Sequence, residues 1–192
     1  MSKKYELLVD DTITFWGWKL FRIKALISFG SVEAGELGGY VSKEENLSQE
    51  GNAWVSGDAW VSGDARVSGN ARVSGNAWVS GDARVSGNAR VSGDARVSGD
   101  ARVSGNARVS GDARVSGDAW VSDLGDIIVF KNHWSSGRHF TYTKSNKMWK
   151  VGCFYGTGKE LIDKAYRDSE KSGNYYKAYV DFVESLEALN ES

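Results

Sequence analysis

Over residues 51–122 the chain places apolar side chains at two of every six positions, a small Ala and, two residues later, a β-branched Val. The unit Gly, Asp or Asn, Ala, Arg or Trp, Val, Ser runs without insertion from Gly51-Asn52-Ala53-Trp54-Val55-Ser56 through Gly117-Asp118-Ala119-Trp120-Val121-Ser122. Side chains at i and i+2 share one face of an extended chain, so each unit predicts a short strand with Ala and Val inward and Arg or Trp outward. The Gly-Asp or Gly-Asn pair predicts a corner, because Gly and Asn tolerate positive φ. Strand and corner at a fixed period make a solenoid.

On the N-terminal side the pattern erodes. Leu37-Gly38-Gly39-Tyr40-Val41-Ser42 and Lys43-Glu44-Glu45-Asn46-Leu47-Ser48 still fit the unit, and Gln49-Glu50 is an insertion, which predicts an atypical first coil. Residues 5–30 alternate apolar and polar side chains around Asp10-Asp11, as in Thr12-Ile13-Thr14-Phe15-Trp16, and predict two or three strands in a hairpin with residues 20–25 last. Beyond Ser122, strands are expected at residues 127–130, 138–143 and 148–155, the last two joined by a turn at Lys144-Ser145-Asn146-Lys147. Helical spacing follows. Leu161, Ile162, Ala165 and Tyr166 form a stripe entered through Gly156-Thr157-Gly158 and closed by Ser172-Gly173. A second helix, capped by Asn174, carries Tyr175, Ala178, Tyr179, Phe182, Val183 and Leu186. The expected organisation is a hairpin cap at 1–30, a repeat domain at 31–122, regular over 51–122, and strands with two helices at 123–192. Open solenoid ends expose unpaired strand edges, so both flanks are expected to cap or flank the array.

The formal net charge of -1 with 26% charged residues lacks the single-sign excess of a nucleic-acid or membrane-surface binder. One cysteine, Cys153, excludes an intramolecular disulfide, and Met1-Ser2-Lys3-Lys4 is not followed by an apolar stretch. With no run long enough to span a bilayer, a cytoplasmic protein without membrane association is expected. Proline is absent, which suits a chain whose N–H groups nearly all serve ladders.

The unit Val-Ser-Gly-Asp/Asn-Ala-Arg resembles the hexapeptide repeat of left-handed parallel β-helices, over residues 37–122. The resemblance implies a mainly β fold, three hexads to a triangular coil, about four to five coils, and the left hand. An 18-residue coil aligns Asn52, Asn70, Asn88 and Asn106 on one corner and Asp64, Asp82, Asp100 and Asp118 on another, with Asp58, Asn76, Asp94 and Asp112 on the third. Many proteins of this fold are acyltransferases, which place a catalytic His near the coils and an acyl-donor loop beside it. Residues 51–122 have neither feature. Carbonic-anhydrase members need three His on zinc, whereas this chain has only His133 and His139, both beyond the repeats. The Thr-rich faces of ice-binding members are replaced here by Arg-x-Ser. The flanks, with Phe21-Arg22-Ile23-Lys24-Ala25, Gly35-Glu36-Leu37-Gly38-Gly39, Glu45-Asn46-Leu47-Ser48 and Val151-Gly152-Cys153-Phe154-Tyr155-Gly156-Thr157, resemble uncharacterised phage and prophage hexapeptide-repeat proteins. Those are often labelled transferases from the fold alone, which brings no catalytic residues with it.

The candidate interaction surface is the set of outward departures from the repeat, Trp54, Trp60, Trp78 and Trp120, together with Arg96 and Arg114. Exposed aromatic clusters mark contacts, here with a terminal segment folded back, a protein partner, or a second copy in a dimer or trimer. The array's arginines and aspartates nearly cancel and are expected to neighbour one another on adjacent coils; the alternative is a guanidinium surface for a polyanion. Each Asp of the Asp64 column precedes an Arg or Trp by two residues, so a salt-bridged or solvated ladder is expected rather than a metal site, and no cofactor is implied. Cys153, between Gly152 and Phe154, is expected in an apolar strand. The leading expectation is a non-enzymatic interaction or scaffold module, phage-associated, inhibiting or sequestering a host component. The alternatives are an acyltransferase-like enzyme and a nucleic-acid or polyanion binder acting through Arg columns.

Overall fold

The computed structural model describes residues 3–15 and 17–190; Met1, Ser2, Trp16, Glu191 and Ser192 lie outside the described residues. The chain forms β1 (Tyr5–Phe15), β2 (Trp18–Ala25), β3 (Leu37–Val41), one two-residue strand per hexad from β4 (Trp54–Val55) to β15 (Trp120–Val121), and then β16 (Ile127–Lys131), β17 (His139–Thr143), β18 (Met148–Val151) and β19 (Phe154–Thr157). Two helices follow, α1 (Gly158–Asp168) and α2 (Glu170–Asn190). The hexad strands stack in parallel into three sheets, β5-β8-β11-β14, β4-β7-β10-β13 and β6-β9-β12-β15, with equivalent positions one 18-residue coil apart, as in Arg72 opposite Arg90. β3 extends the first sheet through Tyr40 opposite Trp60, and Leu47 bridges Val67 on the third, which makes the eroded hexads a fifth, incomplete turn. The result is a parallel β-solenoid of about five turns.

The repeat's two apolar positions are its core. Every Ala and Val of the twelve hexads is buried, from Ala53 and Val55 to Ala119 and Val121. The repeat glycines have φ between 57° and 69°, and those from Gly51 to Gly99 stack closely on their counterparts one coil later: a Cβ on Gly81 would stand 2.9 Å from the nitrogen of Gly99. The corner therefore excludes side chains twice, by dihedral angle and by space.

The ladder between coils has a direction. N–H groups at the second, fourth and sixth hexad positions donate to carbonyls at the first, third and fifth positions of the following coil, as in Asn70 to Gly87 (2.8 Å), Arg72 to Ala89 (2.9 Å) and Ser74 to Val91 (2.9 Å). The array consequently begins with carbonyls facing outward and ends with N–H groups facing outward, and buried backbone groups need partners. The two flanks supply opposite chemistries. At the beginning, the Lys4 ammonium reaches the Ala53 carbonyl (3.0 Å), the Asn46 amide donates to the carbonyls of Gly63 (3.0 Å) and Ala65 (2.8 Å), and the Tyr5 hydroxyl donates to that of Leu47 (2.7 Å). At the end, the N–H of Arg114 donates to Thr141 Oγ1 (2.9 Å), that of Trp120 to Ser145 Oγ (2.8 Å), and that of Ser122 to Asp126 Oδ2 (2.7 Å). Lys4 is almost fully buried, with its ammonium also 4.9 Å from the centre of the Phe29 ring, and desolvation lowers its pKa to about 8.

The N-terminal hairpin has two strands, the smaller of the expected numbers, and β1 runs through Asp10-Asp11. The pairing jumps from Leu8–Arg22 to Thr12–Phe21, so Val9, Asp10 and Asp11 bulge out and Val9 is exposed. β16 to β19 form an antiparallel meander that packs on the last coil, with Asn146 donating to Asp118 (3.0 Å) and His139 Nδ1 2.9 Å from Asp112.

Three expectations for the C-terminal unit are corrected. The single strand expected over 148–155 is two strands, because Gly152 (φ 56°) turns the chain between them. Cys153 therefore sits exposed on a turn and not in an apolar strand. The helices part at Ser169, so Ser172, Gly173 and Asn174 lie inside α2. Gly173 serves close approach: a Cβ there would meet Tyr166 Cδ1 at 2.2 Å, and the Tyr166 hydroxyl donates to Asn174 Oδ1 (2.8 Å). The buried stripe of α2 is Tyr176, Val180 and Val183, while Ala178 is exposed and Phe182 half exposed. Both registers are apolar in sequence, and the sheet accepts the one that lets Tyr176 bond the buried Asn132 (3.0 Å).

Candidate functional site

The three sheets give three outward columns. The first reads Tyr40, Trp60, Trp78, Arg96 and Arg114; the second Trp54, Arg72, Arg90 and Arg108; the third Arg66, Arg84, Arg102 and Trp120. The six candidate residues are thereby separated. Trp54 is not available as a surface: it is 2% exposed, because the N-terminal segment folds over it and sets the rings of Tyr5 and Phe29 edge-on at 6.4 and 5.4 Å. Trp120 is 59% exposed on the third column, with the Arg102 guanidinium 5.2 Å from its ring centre. Arg114 lies one coil beyond Arg96, where the C-terminal meander binds its backbone.

Trp60, Trp78 and Arg96 come together on the first column. Their rings lie 6.0 Å apart, the Arg96 guanidinium stands 5.4 Å from the centre of Trp78, and the Trp78 indole donates to Ser62 Oγ (3.3 Å). Phe15, which lies outside the repeat and was not among the candidate residues, completes the cluster from the hairpin end at 4.5 Å from Trp60 and 5.8 Å from Trp78. The signal was an aromatic residue at the end of a strand whose hairpin had to cover the first coil. Phe15, Trp60, Trp78 and Arg96, with Asp58, Asn76 and Asp94 of the adjoining corner, line an open groove of about 340 Å³.

Of the salt-bridged or solvated ladder expected for Arg and Asp, the fold builds no salt-bridged form among the described residues. Among the described residues no arginine of the array forms an ion pair; the ionic partners of array carboxylates come from the flanks, and within the array the Asn76 amide donates to Asp94 (3.1 Å). Lys43 binds Asp64 at 2.5 Å, and the Asn146 amide binds Asp118; each contact holds the carboxyl below its usual range. Two of the guanidinium groups instead lie over a tryptophan ring of the same column, Arg96 over Trp78 and Arg102 over Trp120.

Polar residues elsewhere serve the scaffold. His139 joins the meander to Asp112 of the last full coil, and His133 lies beside Trp134, Tyr175 and the Tyr179 hydroxyl (3.5 Å). Asp126, which burial would push up, is held below the usual carboxylate range by the N–H groups of Ser122 and Asp123. No group of three or more His, Cys, Asp or Glu able to hold a metal occurs among the described residues, and no helix is long and apolar enough to cross a membrane.

No curated protein matches the chain. Within the regular array, residues 65–81, 83–99, 95–110 and 107–123 match the family model described as the YdcK beta solenoid repeat, so this part of the chain is similar in sequence to a family defined by the architecture described above.

Proposed function

We propose that the protein is a non-enzymatic interaction module, a capped prism that holds Trp60, Trp78 and Arg96 in a fixed row for a protein partner. The observation that carries this reading is the grouping of these side chains with Phe15 around one open groove. Trp and Arg carry a disproportionate share of binding energy at the centres of protein interfaces. Mounted on a hydrogen-bonded ladder, they lose little conformational freedom on binding, which is where flexible surfaces lose affinity. The flanks' resemblance to phage and prophage hexapeptide-repeat proteins supports a cytoplasmic host component as the partner, with inhibition or sequestration as the consequence. The acyltransferase-like alternative has less support, since His139 is engaged with Asp112 and His133 packs in an aromatic cluster.

The test compares proteins captured from a bacterial host extract by the wild type, by Trp60→Ser/Trp78→Ser, and by Trp120→Ser. A partner retained by the wild type and the Trp120 variant but lost by the double variant is the expected result. Identical partner lists for all three would remove the first column from the reading.

A further inference from the structure

The near-cancellation of charge along the array does not hold face by face. The corner preceding the second column carries Asn52, Asn70, Asn88 and Asn106, with no carboxylate, and the column beside it carries Arg72, Arg90 and Arg108. All of the array's aspartates lie on the other two corners, three of them (Asp58, Asp94 and Asp112) on the corner that follows this column and outside the residues that line the groove. Arg72 is half-buried, Arg90 and Arg108 are exposed, and none of the three is ion-paired among the described residues.

The asparagines form their own ladder. Asn52 donates to Asn70 (3.0 Å), Asn70 to Asn88 (3.2 Å) and Asn88 to Asn106 (3.3 Å), so each of these amides is oriented and retains a second N–H. Gly30 and Ser31 close one end of the groove, which has about 470 Å³ and is lined otherwise only by these asparagines and the three arginines. A second groove of about 540 Å³ continues it across Arg72, Arg90, Ser74 and Ser92. The face is therefore a strip of guanidinium, amide and hydroxyl donors spaced about 4.8 Å apart along the stack and spanning about 10 Å from Arg72 to Arg108.

We infer that this face is a binding site for a string of phosphates. Guanidinium forks flanked by neutral donors match phosphate oxygens. Neither groove is lined by an apolar or aromatic side chain, since the column's one aromatic, Trp54, is buried. A peptide would find no pocket for its side chains, and a base no ring to stack on, so only the backbone of a polyanion is read. Inorganic polyphosphate and the backbone of a single-stranded nucleic acid share this chemistry. The site lies on a different sheet from the Trp60–Trp78 groove and is independent of the function proposed for it.

The experiment measures binding of fluorescently labelled inorganic polyphosphate, oligo-dT and poly-glutamate by anisotropy across a salt series. For three phosphate contacts, log K should fall with log salt at a slope of about -2 to -3. Two charge-matched triple variants are compared, Arg72→Gln/Arg90→Gln/Arg108→Gln on the Asn face and Arg66→Gln/Arg84→Gln/Arg102→Gln on the Asp face. Asn70→Asp/Asn88→Asp, nearly isosteric, adds carboxylates to the groove. The Asn-face triple and the Asn→Asp pair should each weaken phosphate binding about tenfold or more, and the Asp-face triple about twofold or less. Equal binding of polyphosphate and oligo-dT supports recognition of the shared backbone, and preference for one names the source. Equal losses in the two triples, poly-glutamate bound as tightly as either phosphate polymer, or no binding at low salt would overturn the inference; melting temperatures verify that all variants fold.

Discussion

Asn46 offers the sharpest test of the idea that the flanks satisfy a directional ladder. The side chain is fully buried and makes five hydrogen bonds: its oxygen accepts from Ser42 N (3.1 Å), Ser42 Oγ (2.8 Å) and Lys43 N (3.0 Å), and its amide donates to the carbonyls of Gly63 and Ala65. Asn46→Ala would strand the buried Ala65 carbonyl, at about 1–3 kcal/mol, and the Gly63 carbonyl and Lys43 N–H at lower cost each, while the Ser42 N–H keeps the Val61 carbonyl (3.0 Å). The sum is about 2–4 kcal/mol, a large part of the stability of an ordinary domain. Asn46→Asp separates the causes, because it keeps shape and acceptors while replacing the two donors with an anionic oxygen facing two carbonyls. If the ladder's outward carbonyls need donors, the Asp variant is at least as unstable as the Ala variant. Urea unfolding followed by tryptophan fluorescence measures both, with hydrogen exchange at Ser42 and Lys43 to confirm that the damage begins at this end. An Asp variant within about 1 kcal/mol of wild type would refute the reasoning and leave packing as Asn46's role.

Four further outcomes follow from the same structure. Lys4 binds fewer protons in the fold than in the unfolded chain between its lowered pKa of about 8 and its ordinary value of 10.5, so stability should rise with pH across that window. The gain is on the order of 2 kcal/mol by pH 10, after which Tyr5 and Tyr142, held neutral by burial, reverse the trend; a Lys4→Met variant should lack the rise in a melting series. Gly81→Ala and Gly111→Ala impose the same φ strain, at 69° and 62°, but only the first meets a stacked backbone within 4 Å; it should melt lower, and equal melting temperatures would show that stacking is irrelevant. Gly173→Ala should destabilise by about 1–3 kcal/mol despite alanine's better helix propensity, and Tyr166→Ala in the same chain should recover most of the loss in calorimetry. Removal of residues 123–192 uncovers the N–H groups of Arg114, Trp120 and Ser122, and the truncated chain should self-associate in sedimentation; a cooperative, soluble monomer would contradict a capping role.

The solenoid was legible because each hexad states its own conformation. Ala and Val alternate about one outward residue, Gly and Asx turn the chain, and the same local message recurs until only a stacked coil satisfies it. Even the pure Asn and Asp columns can be read from the 18-residue period. The flanks carry no such repetition, and there several competing local patterns were possible. Asp10-Asp11 fits a turn but bulges within one strand, residues 148–155 fit one strand but fold as two, and α2 offers two apolar stripes of which the meander accepts one.

What tertiary structure alone decided is which outward residues remain outward and which charges meet. Trp54 and Trp60 occupy equivalent positions in adjacent hexads, yet one is core and the other lines a groove, because the hairpin descends over one sheet and ends at Phe15 beside the other. Arg and Asp nearly cancel in composition, and the 18-residue period already aligns the asparagines, yet only the fold shows that Arg72, Arg90 and Arg108 line a groove with them and form no ion pair among the described residues. Composition sums charge over the chain, whereas a ligand meets it over a few ångströms, and only the winding of the coil determines which residues share that distance.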